Sequence, residues 1–290
     1  MTKIRSTDKS HIQDRRGQSG GGGFGFPGGL PIPGGLKAGG GLMGLLLVVA
    51  AMLLPKLLGA GATSTGLSSD TGDPNATSCE TELEQIVCGV TNDVQTFWTT
   101  QLPASFGTKY QATSTVWFSG SIDTGCGQAT SQSGPFYCPA DYLVYLDLGF
   151  MQQLENELVG STSDLAEQYI VAHEYGHHVQ NLLGTNAEVQ RVAQRDENLG
   201  RQYGIALELQ ADCYAGVWVG ARNVLDSASE LDEAISAAEA VGDDRIQQKT
   251  QGRVDPESWT HGSAEQRKQW FLTGYNSQDP TTCDTFAEIS

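Results

Sequence analysis

His173 and His177 stand four residues apart, with Glu174 directly after the first, in the run His173-Glu174-Tyr175-Gly176-His177. The surrounding segment, Ala166 to Leu183, carries its apolar residues at helical spacing. Positions four apart on a helix share a face, so both imidazoles can point at one ion. Glu174 follows the first histidine by about 100° of rotation. Its carboxylate then sits beside such an ion rather than on it, where it can take a proton from an attacking water. Zinc-assisted hydrolysis, with a peptide bond as the expected substrate, is the chemistry this pattern serves.

Two histidines do not complete a catalytic zinc site, which takes three protein ligands and keeps a further position open. The remaining histidines are His11, His178 and His261. His178 is turned about 100° away from its neighbour on the helix, and His11 lies ahead of a long apolar stretch. Leu207-Glu208-Leu209-Gln210-Ala211-Asp212 offers carboxylates instead. Glu208 and Asp212 share a helical face. A helix crossing the first would bring Glu208 to the ion and Asp212 behind a ligand imidazole, fixing its tautomer and raising its basicity. Cys213 is rotated off that face and suits a disulfide, with Cys283 as the favoured partner.

The pair of motifs His173–His177 and Glu208–Asp212 resembles the gluzincin arrangement of metallopeptidases. Four words together, Gly134-Pro-Phe-Tyr-Cys-Pro139, His173-Glu-Tyr-Gly-His-His-Val-Gln180, Glu208-Leu-Gln-Ala-Asp-Cys213 and His261-Gly-Ser-Ala-Glu-Gln-Arg267, are similar to the bacterial putative neutral zinc metallopeptidase family. The resemblance covers nearly the whole chain. It implies a membrane-anchored zinc peptidase with a zincin-like catalytic domain. By the same resemblance His173, His177 and Glu208 bind Zn2+, Glu174 is the general base, and Asp212 supports a ligand from behind. His261 becomes the candidate for steadying the oxyanion.

The elements that must position these residues follow from periodicity. Cys79 to Thr100 reads as a helix with an apolar stripe. Thr113–Phe118 and Tyr142–Asp147 read as strands, the second a candidate edge strand for pairing with an extended peptide. Leu148–Leu158 reads as helical. The motif helix starts at a cap formed by Asp164, with Glu167 three residues on, and ends at Gly184. A long helical region, Glu188–Arg222, is expected to break near Gly200. A helix over Ser229–Ala240, a loop to Thr260 with Asp243-Asp244 as a solvated turn, and a helix over Ala264–Tyr275 complete the chain. The expected fold class is α+β, predominantly helical.

Composition divides the chain. Residues 1–41 are basic and then Gly-rich, and read as disordered. Residues 42–62 are apolar, with eighteen uncharged residues from Ala38 to Pro55, near the lower limit for a spanning helix. Residues 63–78 read as a Ser/Thr/Gly-rich linker and 79–290 as the catalytic domain. Residues 1–59 hold seven Lys/Arg against Asp8 and Asp14, a net of +5, so the total of −17 leaves −22 for residues 60–290. The acidic part argues against nucleic acid as a partner. The basic flank predicts a cytoplasmic N-terminus and a single-pass anchor that sends the catalytic domain across the membrane.

All six cysteines follow residue 78 and none forms C-x-x-C, which fits disulfides in an oxidising compartment. The favoured pairs are Cys126–Cys138 and Cys213–Cys283, leaving Cys79–Cys88. Two other function classes share these features: a membrane-tethered binding or assembly protein with a structural zinc, and a zinc amidase acting on non-protein substrates.

Overall fold

Helix α1 (Glu82–Phe106) starts where Thr81 and Glu84 cap one another, the Thr81 hydroxyl accepting the Glu84 N–H and the Glu84 carboxylate accepting the Thr81 N–H. Its apolar face of Leu83, Ile86, Val87, Val90, Val94, Trp98 and Leu102 is buried. It ends at Gly107, in the left-handed region at φ 68°. The computed structural model from which these elements are read describes residues 4–17, 73, 75–154, 164–223, 228–240, 242–251, 253–287 and 289.

The main sheet has four strands, β1 (Ile12–Asp14), β2 (Thr115–Phe118), β5 (Phe136–Cys138) and β6 (Leu143–Asp147), in the order β1-β2-β6-β5. β2 runs parallel to both β1 and β6, whereas β5 is antiparallel to β6. The Tyr142–Asp147 segment is therefore an inner strand, not the edge strand expected from its sequence. Strand order depends on parallel pairing between distant segments, which local alternation does not encode. β5 takes the edge instead. A hairpin of β3 (Ser121–Thr124) and β4 (Gly127–Thr130) stands apart, and the Cys126–Cys138 disulfide ties it to β5. Its Gly/Ser/Thr-rich composition lacks the apolar alternation that marks a strand.

Seven further helices follow among the described residues: α2 (Leu148–Leu154), α3 (Asp164–Leu183), α4 (Thr185–Arg195), α5 (Glu197–Arg222), α6 (Ala228–Ala240), α7 (Asp243–Gln251) and α8 (Ala264–Ser277). Helix α3 is the motif helix, and Gly184 ends it at φ 83°. The break after α4 falls at Asp196, which caps α5 by accepting the Leu199 N–H, rather than at Gly200. Helix α7 occupies part of the expected loop before Thr260. Helices α5 and α8 touch closely through Gly216 and Gly274. A Cβ on either would fall about 2 Å from a carbonyl oxygen of the other helix, at 2.0 Å from Phe271 and 1.9 Å from Cys213. The core between α1, α3, α5 and α8 holds Trp98, Tyr169, Tyr175, Trp218 and Phe271, all fully buried.

The fold is thus α+β and mostly helical, as expected. The three disulfides pair as expected too, Cys79–Cys88, Cys126–Cys138 and Cys213–Cys283, leaving no free thiol. The expected disorder over 1–41 does not hold for residues 4–17, which lie on the domain and supply β1. The expected membrane segment, 42–62, lies outside the described residues, as does most of the linker. Among the described residues no helix is long and apolar enough to cross a membrane.

Candidate metal centre

The site is built where α3 crosses α5. At Gly176 an added Cβ would lie 3.1 Å from the Cα and carbonyl oxygen of Ala211, so the two backbones meet there with only glycine and alanine between them. That contact sets the histidine face of α3 against Glu208 and Asp212. One donor atom each from His173, His177 and Glu208 lies within 4.8 Å of the others. His173 Nε2 is 3.3 Å from Glu208 Oε2, and His177 Nε2 is 3.5 Å from Glu208 Oε1.

Both Nδ1 atoms are committed elsewhere, which leaves each Nε2 for the common point. His173 Nδ1 lies 2.8 Å from Asp212 Oδ1, and His177 Nδ1 lies 2.8 Å from Gln180 Oε1. Each oxygen accepts, so each Nδ1 carries the proton. The supports are themselves supported. Arg267 grips Asp212 with two hydrogen bonds of 2.8 Å, from Nε to Oδ2 and from Nη2 to Oδ1. The Tyr169 hydroxyl also donates to Asp212 and accepts from Arg267 Nη2 at 3.1 Å. On the other side Gln180 Nε2 donates to the Leu207 carbonyl at 2.7 Å and to Gln210 Oε1 at 3.1 Å. Gln210 in turn donates to the carbonyl of Cys283 at 2.8 Å.

The charges match a cation. Burial opposes charge on His173, but the Asp212 carboxylate, with Glu208 beside it, outweighs burial and raises its pKa to about 10. Burial would raise Glu208, yet His177 and His173 hold it well below the carboxylate range. Asp212 is likewise kept low, against its burial, by Arg267 and His173. Burial opposes charge on His177 as well, but the Glu208 carboxylate outweighs it and raises its pKa. Two imidazole nitrogens, each with its Nδ1 hydrogen bond made, and one buried carboxylate are a donor set that fits catalytic zinc. No fourth His, Cys, Asp or Glu joins this group among the described residues.

Glu174 lies outside the donor group and is buried at 7 % exposure. Burial raises its pKa, against the lowering effect of His173 and His177. His261, 5 % exposed, lies close enough to act on the Glu208 carboxylate. Its place is fixed by Asp243, the first residue of α7. Asp243 Oδ2 accepts the backbone N–H groups of Thr260 and His261 at 2.5 Å each, and Oδ1 lies 3.2 Å from His261 Nδ1. Asp243 is therefore a buried partner of His261 and not part of a solvated turn.

His178 points away, its Nε2 2.7 Å from the Gln111 carbonyl and its Nδ1 3.0 Å from the Tyr137 hydroxyl on β5. His11 is bound to Asn92 on α1, not to this group. Tyr175 is a packing residue, its hydroxyl 3.1 Å from that of Thr115. Gln180, Arg267 and Tyr169 were not assigned roles from sequence. Gln180 follows His177 by one helical turn, a spacing that could have marked it. Arg267 ends the word that begins at His261. Nothing local marks Asp243 or Tyr169.

A helix-borne H-E-x-x-H with a glutamate from a crossing helix is the donor set of a class of zinc metallopeptidases. This chain belongs to the family described as putative neutral zinc metallopeptidase, matched over residues 1–286. It is 46% identical over 208 residues, 68% of each chain, to an uncharacterized protein of Mycobacterium tuberculosis, Rv2575. To YpfJ of Escherichia coli, also uncharacterized, it is 38% identical over 285 residues, 97% of each chain. No solved structure matches the chain.

Proposed function

We propose that the protein is a zinc endopeptidase whose catalytic domain works outside the cytoplasm. In this reading His173, His177 and Glu208 hold the zinc, Glu174 is the general base, and Asp212 orients His173. The observation that carries it is a three-donor group with a buried carboxylate beside it that donates nothing to the group. A structural zinc site is closed by a fourth protein ligand and has no use for such a base.

Zinc bound here would polarise the scissile carbonyl and lower the pKa of a water towards about 7. Glu174 accepts the proton of the attacking water as the C–O bond forms and returns it to the departing amine as the C–N bond breaks. Burial keeps the Glu174 carboxyl ready to hold that proton between the two steps. His261, braced by Asp243, donates to the oxygen that gains charge. The substrate is an extended peptide laid along β5, whose outer edge has no strand partner among the described residues. Support for a site outside the cytoplasm comes from three disulfides and no free cysteine.

The test is cleavage of an unfolded protein by the purified full-length chain and by Glu174→Gln, with zinc content measured on both. Glu174→Gln is expected to keep its zinc and lose activity by about 10²–10⁴-fold. Zinc-loaded wild type and variant that are equally inert on a broad peptide library would sink the proposal.

A further inference from the structure

The N-terminal arm, residues 4–17, is separated from the domain by more than fifty residues of chain, among them the apolar stretch, yet it lies on the domain as an integral part. Strand β1 pairs with β2 in parallel register, Ile12 with Thr115 and Asp14 with Trp117. Two backbone bonds flank that ladder, from Thr115 N–H to the His11 carbonyl at 2.9 Å and from Arg15 N–H to the Trp117 carbonyl at 2.8 Å. Further along, Ser6 N–H donates to the Gln85 carbonyl at 2.9 Å, and Cys79 N–H donates to the Thr7 carbonyl at 3.2 Å. Arg5 reaches Asp164, the first residue of the motif helix, at 2.7 Å.

The domain is built to receive this arm. Glu84 is buried in α1 and spends Oε2 on the backbone N–H groups of Glu80 and Thr81. Its Oε1 takes Arg16 Nη2 at 2.7 Å, with both side chains almost fully enclosed. Without the arm that carboxylate would face the interior with no counter-charge, and β2 would become an uncovered edge. Gly89, in the middle of α1, makes the same point. A Cβ there would stand 2.7 Å from the Ile4 carbonyl oxygen and 2.9 Å from the Arg5 Cα. Glycine in a helix interior costs about 1 kcal/mol relative to alanine, and here it leaves room for the arm.

A hydrocarbon core about 30 Å thick separates the two ends of any single span, whereas these contacts need the two pieces within hydrogen-bonding distance. We infer that residues 4–17 and the domain that begins near residue 75 occupy the same side of the membrane, against the single crossing expected from residues 42–62. The basic arm is then not a cytoplasmic anchor flank. Its Lys9 and Arg16 serve the fold, each lying over the Trp117 ring, at 5.3 and 4.9 Å from its centroid.

The test uses the full chain in bacterial cells. A site for a specific protease is inserted after Gly21, between the arm and the apolar stretch, and a second site with a tag is placed after Ser290. A photo-cross-linking amino acid replaces Ile12. Protease is added to spheroplasts before and after permeabilisation. The two sites are expected to be cut to the same extent before permeabilisation. After irradiation, cutting at Gly21 is expected to leave the N-terminal fragment joined to the fragment that begins at residue 22 and carries the domain. A cross-link to the domain of a second copy would equally place arm and domain on one side. A cut after Ser290 with the Gly21 site protected until permeabilisation would overturn the inference. So would equal cutting with no cross-link to any domain.

Discussion

His173 Nδ1 and Asp212 Oδ1 lie 2.8 Å apart at the buried crossing of the two site helices, with Arg267 on the far side of the same carboxylate. The pair leaves Nε2 of His173 for the donor group it shares with His177 and Glu208. Asp212→Asn keeps the shape but weakens the hold on the imidazole. It is expected to lower zinc affinity by about 10–100-fold, measured by competition with a chromogenic chelator. Arg267→Met should act differently. It leaves the Asp212 charge buried with a weakened set of partners and is expected to cost about 3–5 kcal/mol of stability in urea unfolding. An Asp212→Asn protein with wild-type zinc affinity would show that this carboxylate does not support the site.

The His261–Asp243 pair predicts a split between binding and turnover. His261→Ala is expected to reduce kcat by about 10²–10³-fold, the range for a lost donor at a developing oxyanion. Asp243→Asn leaves the imidazole present but less firmly aimed, so its effect on kcat should be smaller. Zinc content should be unchanged in both. Peptide-cleavage kinetics at saturating substrate decide the matter, and an unchanged kcat in His261→Ala would remove this residue from the chemistry.

His178 predicts an acid-side loss of stability. Burial, against the opposing hydrogen bond to Gln111, pushes its pKa down to about 4 from 6.5. The unfolded chain therefore takes up this proton before the folded one does. The stability held by the neutral ring is complete above pH 6.5 and falls as the pH drops from there to about 4, by roughly 3 kcal/mol. Urea midpoints of chelator-treated wild type and His178→Gln, compared across that window, check this. The variant should show a shallower fall, and parallel curves would refute the assignment.

The candidate metal site was legible because its parts are local. His173, Glu174 and His177 sit within one helical turn, Glu208 and Asp212 within another, and helical periodicity says which side chains share a face. Gly184 announced the end of the motif helix for the same reason. What escaped sequence reading depends on partners far along the chain. Ile12-Gln13-Asp14 has no strand pattern of its own and becomes a strand only because β2, a hundred residues on, has a free edge. Asp243 looks like half of an acidic surface pair until His261 is folded over it. The inner position of β6 is likewise a property of the sheet, not of its five residues.

The docking of β1 also bears on how the chain should be shortened. Cutting the chain ahead of Cys79 would discard a strand, strip Glu84 of its arginine and free the first residue of the motif helix from Arg5. A flexible Gly/Ser bridge from Gly17 to Asn75 would omit the apolar stretch and retain all three contacts. The folded domain is made of two separate lengths of chain.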